Sequence, residues 1–290
     1  PLPLGLSACN NFIFNKKDPS QKLFYKVFKV KVYNFELYKF VMKKIGDEGL
    51  GPKCIKIEPE FIVTEFVNGT TLDKISNSAE LMPSFMAQIS NYMFSLFNLY
   101  NKSINGANAV PIENLCINYL EFVYHRMLES CQNSLRKFNS SHENFNLSTM
   151  LNNWIHEYKK TVNESDLTII HNDIHYFNVM GDKDSRFKLI DLENINIGPW
   201  QFDYSGFFIE MCNFDVIIEK YPSKETRKNY IEQLLKYNRH KISESLDESE
   251  RNRIEKMLHI GCQFHNIFWI IWALEFDNKR AEGDFDYFGY

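Results

Sequence analysis

Several features that would indicate particular classes of protein are missing from this sequence. The formal net charge is −4, the isoelectric point is about 6.1, and Lys and Arg are spread along the chain. A protein that binds nucleic acid usually gathers its basic residues into a patch that contacts phosphates. The charge distribution therefore argues against nucleic acid as a partner.

Paired cysteines are also missing. The six cysteines form no CxxC pair and follow no regular spacing. Isolated cysteines of this kind are typical of reduced thiols rather than of a disulfide framework or a zinc site. Nothing in the sequence resembles a signal peptide. We therefore expect a cytoplasmic protein.

Long hydrophobic runs are absent too. The longest, "IFWIIWAL" at 267–274, is far shorter than the roughly 20 residues that cross a membrane, so we predict no membrane span. The sequence does have 290 residues, of which 44% are hydrophobic and 15% aromatic. That composition supports a sizeable core in one large domain or two lobes.

The order of the predicted elements indicates two unequal parts. Alternating apolar residues predict a hairpin at 12–33 and a strand pair at 54–67, with a helix of 3.6-residue periodicity between them at 34–48. Beyond a linker near 64–72, the predicted elements are helices at about 80–102, 112–136 and 148–161, short strands at 167–193, and further helices. We predict an α+β fold with a small β-rich N-terminal lobe, residues 1–68, and a larger helical C-terminal lobe, residues 69–290.

Polar residues between 169 and 193 indicate phosphoryl-transfer chemistry. In "IIHNDIHYFNVM" Asp173 precedes Asn178 by five residues, and "FKLIDLE" is an apolar strand that ends in Asp191. Phosphoryl transfer needs one carboxylate for the attacking hydroxyl, and an amide oxygen plus a second carboxylate to hold Mg²⁺. These three residues fit those roles. The alternative is a buried turn network with Asp191 as a strand-end cap. We expect His171 to brace the loop by hydrogen bonding.

A lysine inside a predicted strand is a second, independent sign. Lys26 in "FYKVF" is a lone charge in mid-strand, and Glu36 in the following helix is the nearest carboxylate that could hold it towards phosphates. The alternative is an exposed Lys on an edge strand and a solvated Glu. Upstream, Gly5, Ser7 and Asn11 make a poor glycine-rich loop by themselves.

Four segments resemble the choline/ethanolamine kinase family, whose members are related to aminoglycoside phosphotransferases. They are "HNDIHYFNVM", "KLIDLENI", "QFDYSGFFIEM", and "IFWIIWALE" with "DFDYFGY". The resemblance covers nearly the whole chain. It implies a two-lobed protein-kinase-like fold, ATP and Mg²⁺ as cofactors, and a homodimer as one oligomeric state, since dimers are common in the family.

For the nucleotide side, the resemblance implies Asp173 as catalytic base, Asn178 and Asp191 as magnesium ligands, and Lys26 with Glu36 as phosphate clamp. The Lys26 position is commonly Arg in the family, so the bidentate geometry is lost. Glu65 and Phe66 would present backbone groups to adenine. The implied cofactor-binding residues are Gly5, Ser7, Asn11, Lys26, Glu36, Glu65 and Phe66.

For the substrate side, the resemblance implies an aromatic and acidic pocket for an ammonium head group. Trp269 and Trp272 lie three residues apart, and that spacing by itself favours core positions. The implied substrate-binding residues are Glu193, Glu210, Trp269, Trp272, Phe285, Tyr287 and Tyr290. The chain departs from the family pattern "FDIGNHF" at Gly206 and Phe207.

The implied activity is transfer of the γ-phosphoryl group of ATP to a small amino alcohol. The product would be phosphocholine or phosphoethanolamine for phospholipid synthesis, with choline slightly favoured as substrate. The alternatives are ethanolamine as the main substrate, an aminoglycoside-type phosphotransferase, and a non-catalytic kinase-like binding module.

Overall fold

The computed structural model describes residues 8–14, 22–28, 31–75, 77–104, 115–130, 135–136, 146–181, 187–212, 217–237 and 247–277. The strands are β1 (Ala8–Phe14), β2 (Lys22–Phe28), β3 (Cys54–Ile57), β4 (Phe61–Glu65), β5 (Thr70–Thr71), β6 (Leu167–Ile170), β7 (Val179–Gly181), β8 (Phe187–Leu189) and β9 (Asn196–Pro199). The helices are α1 (Phe35–Asp47), α2 (Ser78–Ile104), α3 (Leu115–Ser130), α4 (Leu147–Thr161), α5 (Gln201–Glu210), α6 (Lys224–Tyr237) and α7 (Glu248–Asp277).

The N-terminal region contains a four-stranded antiparallel sheet in the order β1-β2-β4-β3. The predicted hairpin is confirmed, because β1 and β2 pair from Ala8 opposite Phe28 to Phe14 opposite Lys22. Its first strand begins at Ala8, four residues before the predicted start, so Asn11 lies inside the strand rather than before it. The predicted strand pair at 54–67 is confirmed as β3 and β4. Since β2 has a neighbour on each side, Lys26 sits on an inner strand, opposite Ile62 of β4.

Helix α1 forms where the apolar periodicity predicts it. The Asn34 side chain caps its start by accepting a hydrogen bond from the Leu37 backbone N–H at 3.1 Å. Its end lies just before Gly49, which has a φ of 73°, a left-handed conformation that glycine adopts without strain. The apolar face of α1, which includes Val41 and Ile45, is buried against the same core as Ile62. This packing fixes the helix against the sheet.

The C-terminal part is mostly helical, as predicted. Helices α2, α3 and α4 lie where the periodicity indicated them, and α5, α6 and α7 follow the short strands. The α7 helix packs against α3, α4 and α5. Trp154 of α4 donates its indole N–H to the Ile260 carbonyl of α7 at 3.0 Å, inside an apolar cluster shared by these helices. The α+β fold class expected from the sequence is confirmed.

Short strands bring the polar loops to one place. Strand β6 pairs with β9, and β7 pairs with β5 and β8. Residues 171–178 connect β6 to β7, and residues 190–195 connect β8 to β9. Because Val179 lies opposite Leu189, both connections leave their strands at neighbouring positions. Asp173, Asn178 and Asp191 are therefore carried on adjacent loops.

One helix bears on the expectation that no segment spans a membrane. Within the described part of the chain, residues 248–275 of α7 are long and apolar enough to cross a membrane by length and composition. Its most apolar window is 61% buried inside the protein. Such burial is typical of a core helix, and the absence of a span stays a prediction.

Candidate active site

The loop that follows β6 is anchored by a carboxylate from α5. Asp203 accepts the backbone N–H of His171 at 3.0 Å and that of Asn172 at 2.9 Å. Asn172 has a φ of 64°, a left-handed conformation that the loop must hold in order to turn. Burial raises the pKa of Asp203 to about 7, although the two backbone N–H groups oppose that rise. Asp203 was not predicted as a site residue, and its one signal in the sequence is its place in the segment "QFDYSGFFIEM" that resembles the family.

His171 braces the loop, as the sequence analysis expected. Its Nε2 donates to the Ile190 carbonyl at 3.0 Å, and its Nδ1 accepts the Asp173 backbone N–H at 3.2 Å. The ring is fully buried, and burial lowers its pKa below the ordinary value. The neutral imidazole thus links the loop to the segment that carries Asp191, and both of its nitrogens are used for structure.

The Asp173 carboxylate is contacted by Asn178 on one oxygen and by His175 on the other. The Asn178 side-chain amide donates to Asp173 Oδ2 at 3.0 Å and to the Asp173 carbonyl at 2.9 Å. His175 Nε2 lies 3.4 Å from Asp173 Oδ1, while His175 Nδ1 accepts the Phe177 backbone N–H at 3.2 Å. Each oxygen of the carboxylate keeps a lone pair for a further proton donor. The arrangement suits a base that must point at one position.

Asp191 is joined to this loop through the backbone. The Ile190 N–H donates to the Asn178 carbonyl at 2.9 Å, and Asp191 adopts a left-handed φ of 63°. Burial raises the pKa of Asp191, but the Lys26 ammonium outweighs that effect and holds the pKa below its ordinary value. Asp191 is therefore an ionised carboxylate beside Asn178.

The partner expected for Lys26 was wrong. Lys26 pairs with Asp191 and with Glu193, both from the loop after β8. Glu36 is 70% exposed at its side chain and pairs with Lys39 on the same helix at 2.7 Å. Glu36 lies in the first turn of α1, outside the buried face of the helix. The neighbouring residues Leu37 and Tyr38 are the ones that are buried there. The structure thus brings together Lys26 and Asp191 but leaves Glu36 outside.

Glu193, which was expected to contact the head group of the substrate, pairs with Lys26 in the structure. Its side chain is only 10% exposed and is paired with Lys26 on the N-terminal sheet. Burial alone lowers the pKa of Lys26, but the carboxylates of Asp191 and Glu193 outweigh it and hold that pKa above its ordinary value. The three side chains form one ionic cluster, in which Lys26 and Glu193 are buried and Asp191 is partly exposed.

A cavity of about 330 Å³ opens beside this cluster. Its walls come from β2, α1, β4 and the loops around 66 and 190. The lining residues are Phe24, Lys26, Tyr38, Met42, Pro52, Ile62, Thr64, Glu65, Phe66, Val67, Met180, Ile190, Asp191 and Leu192. The mostly apolar wall with a charged end fits a flat, uncharged ring joined to an anionic group.

Glu65 and Phe66 border the cavity where the sequence analysis expected the adenine contacts. The Glu65 backbone N–H donates to the Lys53 carbonyl at 2.9 Å, and the Glu65 carbonyl accepts the Thr64 hydroxyl at 3.0 Å. The Glu65 carboxylate pairs with Lys188. Because the Glu65 N–H already donates to Lys53, the position that remains for a nucleobase is the second lone pair of the Glu65 carbonyl oxygen.

Several expected site residues lie outside the described residues. Gly5 and Ser7 of the weak phosphate loop are among them, as are Phe285, Tyr287 and Tyr290 of the expected head-group pocket. Asn11 lies in β1, where its backbone is opposite Tyr25.

The acidic residue at the end of α5 is electrostatically coupled to the loop. Burial raises the pKa of Glu210, His175 lowers it, and Asp173 raises it further. Burial lowers the pKa of His175, but Asp173 and Glu210 outweigh it, so that pKa lies above its ordinary value. Glu210, Asp173 and His175 therefore lie close enough to one another for their charges to interact.

Trp269 and Trp272 contact each other on α7. Their ring centroids are 5.5 Å apart with an interplanar angle of 84°, an edge-to-face arrangement. Trp272 is 9% exposed and forms a small cluster with Trp269 and Ala273. Trp269 also packs on the larger cluster of α3, α4 and α7.

The unusual "FDYSGFF" segment has a steric explanation. Gly206 of α5 faces His265 of α7, and a Cβ added at Gly206 would lie 2.8 Å from the imidazole ring. His265 Nε2 donates to the Phe202 carbonyl at 2.8 Å, and burial lowers its pKa to about 4. A glycine at 206 therefore makes room for a neutral, buried histidine that comes from another helix.

The oxygen ligands fit a magnesium ion that arrives with phosphates. The Asn178 amide nitrogen donates to Asp173, so its Oδ1 is the atom that remains for a cation. The backbone hydrogen bond from Ile190 to Asn178 joins this residue to the segment that carries Asp191. Among the described residues there is no group of three or more His, Cys, Asp or Glu side chains that could enclose a metal. Mg²⁺ commonly takes one or two protein oxygens and completes its shell with phosphate and water. The two oxygens match that pattern.

Comparison with known proteins identifies the family of the chain. A sequence model of the choline/ethanolamine kinase family matches residues 11–290. The "Probable choline kinase 2" of Arabidopsis thaliana is 26% identical over 137 residues, which cover 44% of this chain and 37% of that protein. The match thus spans little more than a third of the plant protein's own length.

Solved structures show the same fold. An ethanolamine kinase of Plasmodium vivax superposes with a TM-score of 0.73 at 16% identity, over 100% of this chain and 79% of that chain. A choline kinase of Cryptosporidium parvum gives 0.62 at 16% identity, over 99% and 83%. An aminoglycoside 3'-phosphotransferase gives 0.53 at 12% identity, over 86% and 85%. The protein-kinase-like fold expected from the sequence is confirmed, and at these identities the likeness shows the fold alone.

Proposed function

The chain belongs to the choline/ethanolamine kinase family, and from that premise we propose that it transfers the γ-phosphoryl group of ATP to the hydroxyl of a small amino alcohol. The observation that carries the proposal is the Asp173 carboxylate, oriented by Asn178 and His175. Its loop is joined through His171 to the segment whose Asp191 pairs with Lys26. Phosphoryl transfer relies mainly on positioning and on stabilisation of charge, and these residues supply both.

In this proposal the 330 Å³ cavity takes adenine, and Lys26 at its charged end contacts the phosphates. Asp173 accepts the proton of the substrate hydroxyl as its oxygen attacks the γ-phosphorus, and ADP leaves. Asn178 and Asp191 would hold Mg²⁺, which when bound neutralises charge on the phosphates. Asp203 and His171 keep the loop in the conformation that presents Asp173.

The acceptor is a cation in this proposal. The Asp173 carboxylate raises the pKa of Glu210, so an ammonium group near both would relieve their repulsion. Trp269 and Trp272 would offer aromatic faces to a quaternary ammonium. Choline would rely more on these rings, whereas ethanolamine would rely more on hydrogen bonds to Glu210. We favour choline slightly, with phosphocholine as a precursor of membrane phospholipids.

The test is ADP release with MgATP and choline, ethanolamine or kanamycin in parallel. We expect turnover on an amino alcohol, and a fall of about 10²–10⁴-fold in Asp173→Asn because the base is lost. Asp47→Asn, which changes an exposed carboxylate at the end of α1, is the matched control. Turnover on kanamycin alone would indicate an aminoglycoside kinase. Full activity in Asp173→Asn would refute the assignment of the base, and tight choline binding without ADP release would indicate a binding module.

A further inference from the structure

The burial of Glu193 needs an explanation that the head-group role does not supply. The side chains of Lys26 and Glu193 are 8% and 10% exposed, whereas Asp191 is 35% exposed. A carboxylate with so little access to water is strongly disfavoured unless a cation pairs with it. Its counter-charge in this structure is Lys26, so Glu193 belongs to the nucleotide side.

Lys26 cannot easily turn to another partner. It lies on β2, an inner strand paired on both sides, which fixes the origin of its side chain. From α1, the side chain that lies close to the lysine is Tyr38, a buried phenol, and not Glu36. The positioning of Lys26 therefore depends on the loop after β8, because Asp191 and Glu193 of that loop both pair with the ammonium group.

Asp191 and Glu193 are not equivalent partners. Under the proposed function, Asp191 also offers an oxygen to Mg²⁺, so its charge is divided between the lysine and the cation. Glu193 is the more buried of the two, so it depends more on the lysine for its counter-charge than Asp191 does. We propose that Glu193 is the positioning residue that holds Lys26 towards the phosphates of the nucleotide, in the place where the sequence suggested Glu36.

This inference rests on the proposed function and makes a distinct prediction. Glu193 should affect nucleotide binding, and it should leave the affinity for the amino alcohol unchanged. We would measure the affinity of the whole protein for the ATP analogue AMP-PNP by calorimetry, with and without Mg²⁺ and with no acceptor present. Values of KM for ATP and for choline or ethanolamine would then be compared from initial rates.

We expect Glu193→Gln to weaken nucleotide binding by roughly tenfold or more, because Lys26 loses its more buried partner. The KM for the amino alcohol should change by less than about twofold, within the usual range for a residue outside the binding site. Glu36→Gln is the matched variant, because it removes the carboxylate first expected to hold Lys26. It should leave nucleotide affinity unchanged.

Two further variants keep the test decisive if Glu193→Gln folds poorly. Glu193→Asp keeps the charge but shortens the side chain, and we expect an intermediate loss of nucleotide affinity. In a Lys26→Met background, which removes the buried ammonium, Glu193→Gln should cause no further loss. Thermal unfolding of each variant without nucleotide separates a folding defect from a binding defect.

The opposite pattern would overturn the inference. It fails if Glu36→Gln weakens nucleotide binding and Glu193→Gln does not, or if Glu193→Gln raises only the KM for the amino alcohol. A wild-type protein that binds AMP-PNP normally, with Glu193→Gln unaffected, would refute this inference and leave the proposed function intact. A wild-type protein that binds no nucleotide would refute both.

Discussion

The catalytic loop and the lysine site differ in how far along the chain their partners lie. Asp173 contacts His175 and Asn178, which are within five residues of it. Lys26 and its partner Asp191 are separated by 165 residues. The loop could therefore be interpreted from a short segment, whereas the partner of Lys26 was assigned wrongly. Local spacing predicts local contacts, but a contact between two lobes depends on how they pack.

The loop also has one distant anchor, Asp203, and replacing that residue tests how much of the loop depends on contacts far along the chain. This change has the largest expected effect. Asp203→Ala leaves the buried N–H groups of His171 and Asn172 without their acceptor. Each unpaired group costs about 1–3 kcal/mol. We expect a loss of a few kcal/mol in unfolding free energy, measured by urea denaturation, together with a large loss of turnover.

Asp203→Asn is the control, because it keeps an oxygen that can accept these hydrogen bonds, and its loss of stability should be smaller. If Asp203→Ala retained both stability and turnover, the loop would be held by its local contacts alone. The loop would then depend only on residues near it in the sequence, unlike the lysine site, whose partners lie far along the chain.

The packing of α5 on α7 is a second contact between residues far apart in the sequence, and it can be tested at Gly206. Gly206→Ala places a Cβ about 2.8 Å from the ring of His265. Overpacking of this kind costs about 1–3 kcal/mol, which denaturant unfolding would detect. In a His265→Ala background the same change should cost much less, because the opposing ring is gone. An equal cost in both backgrounds would contradict this account of the "FDYSGFF" segment.

The smallest expected effect is a dependence of the unfolding free energy on pH. Burial lowers the pKa of His265 to about 4, so the folded protein keeps this ring neutral while the unfolded chain takes up a proton near pH 6.5. Its contribution to stability is present above pH 6.5 and is lost as the pH falls towards 4. Relative to His265→Gln, wild-type unfolding free energy should decrease by roughly 1 kcal/mol between pH 7 and pH 5.5.

Other titrating groups are shared by both proteins, so the difference between their stability curves isolates His265. A difference that did not change with pH would mean that the folded protein protonates this ring at the same pH as the unfolded chain, near pH 6.5. That result would place a charge between α5 and α7 and would require a partner for it.

Much of the fold was predictable because its elements carry clear periodicity. The hairpin at β1 and β2, helix α1 and helices α2 to α4 all lie where apolar spacing placed them. The roles of Asp173 and Asn178 remain predictions, but their contact was foreseeable because the loop is short. Asp203 was missed because a single Asp within an aromatic segment carries no local pattern.

The sequence by itself determined the order of the elements, the buried faces and the set of polar residues in the catalytic loop. These follow from side-chain periodicity and from spacing within a few residues, which the chain expresses before it packs. Only the tertiary structure decided that Lys26 pairs with Asp191 and Glu193, that Asp203 anchors the loop, and that Gly206 makes room for His265. Such pairs form between elements far apart in sequence, and burial selects them because a buried charge, N–H group or ring must find its partner within the assembled core.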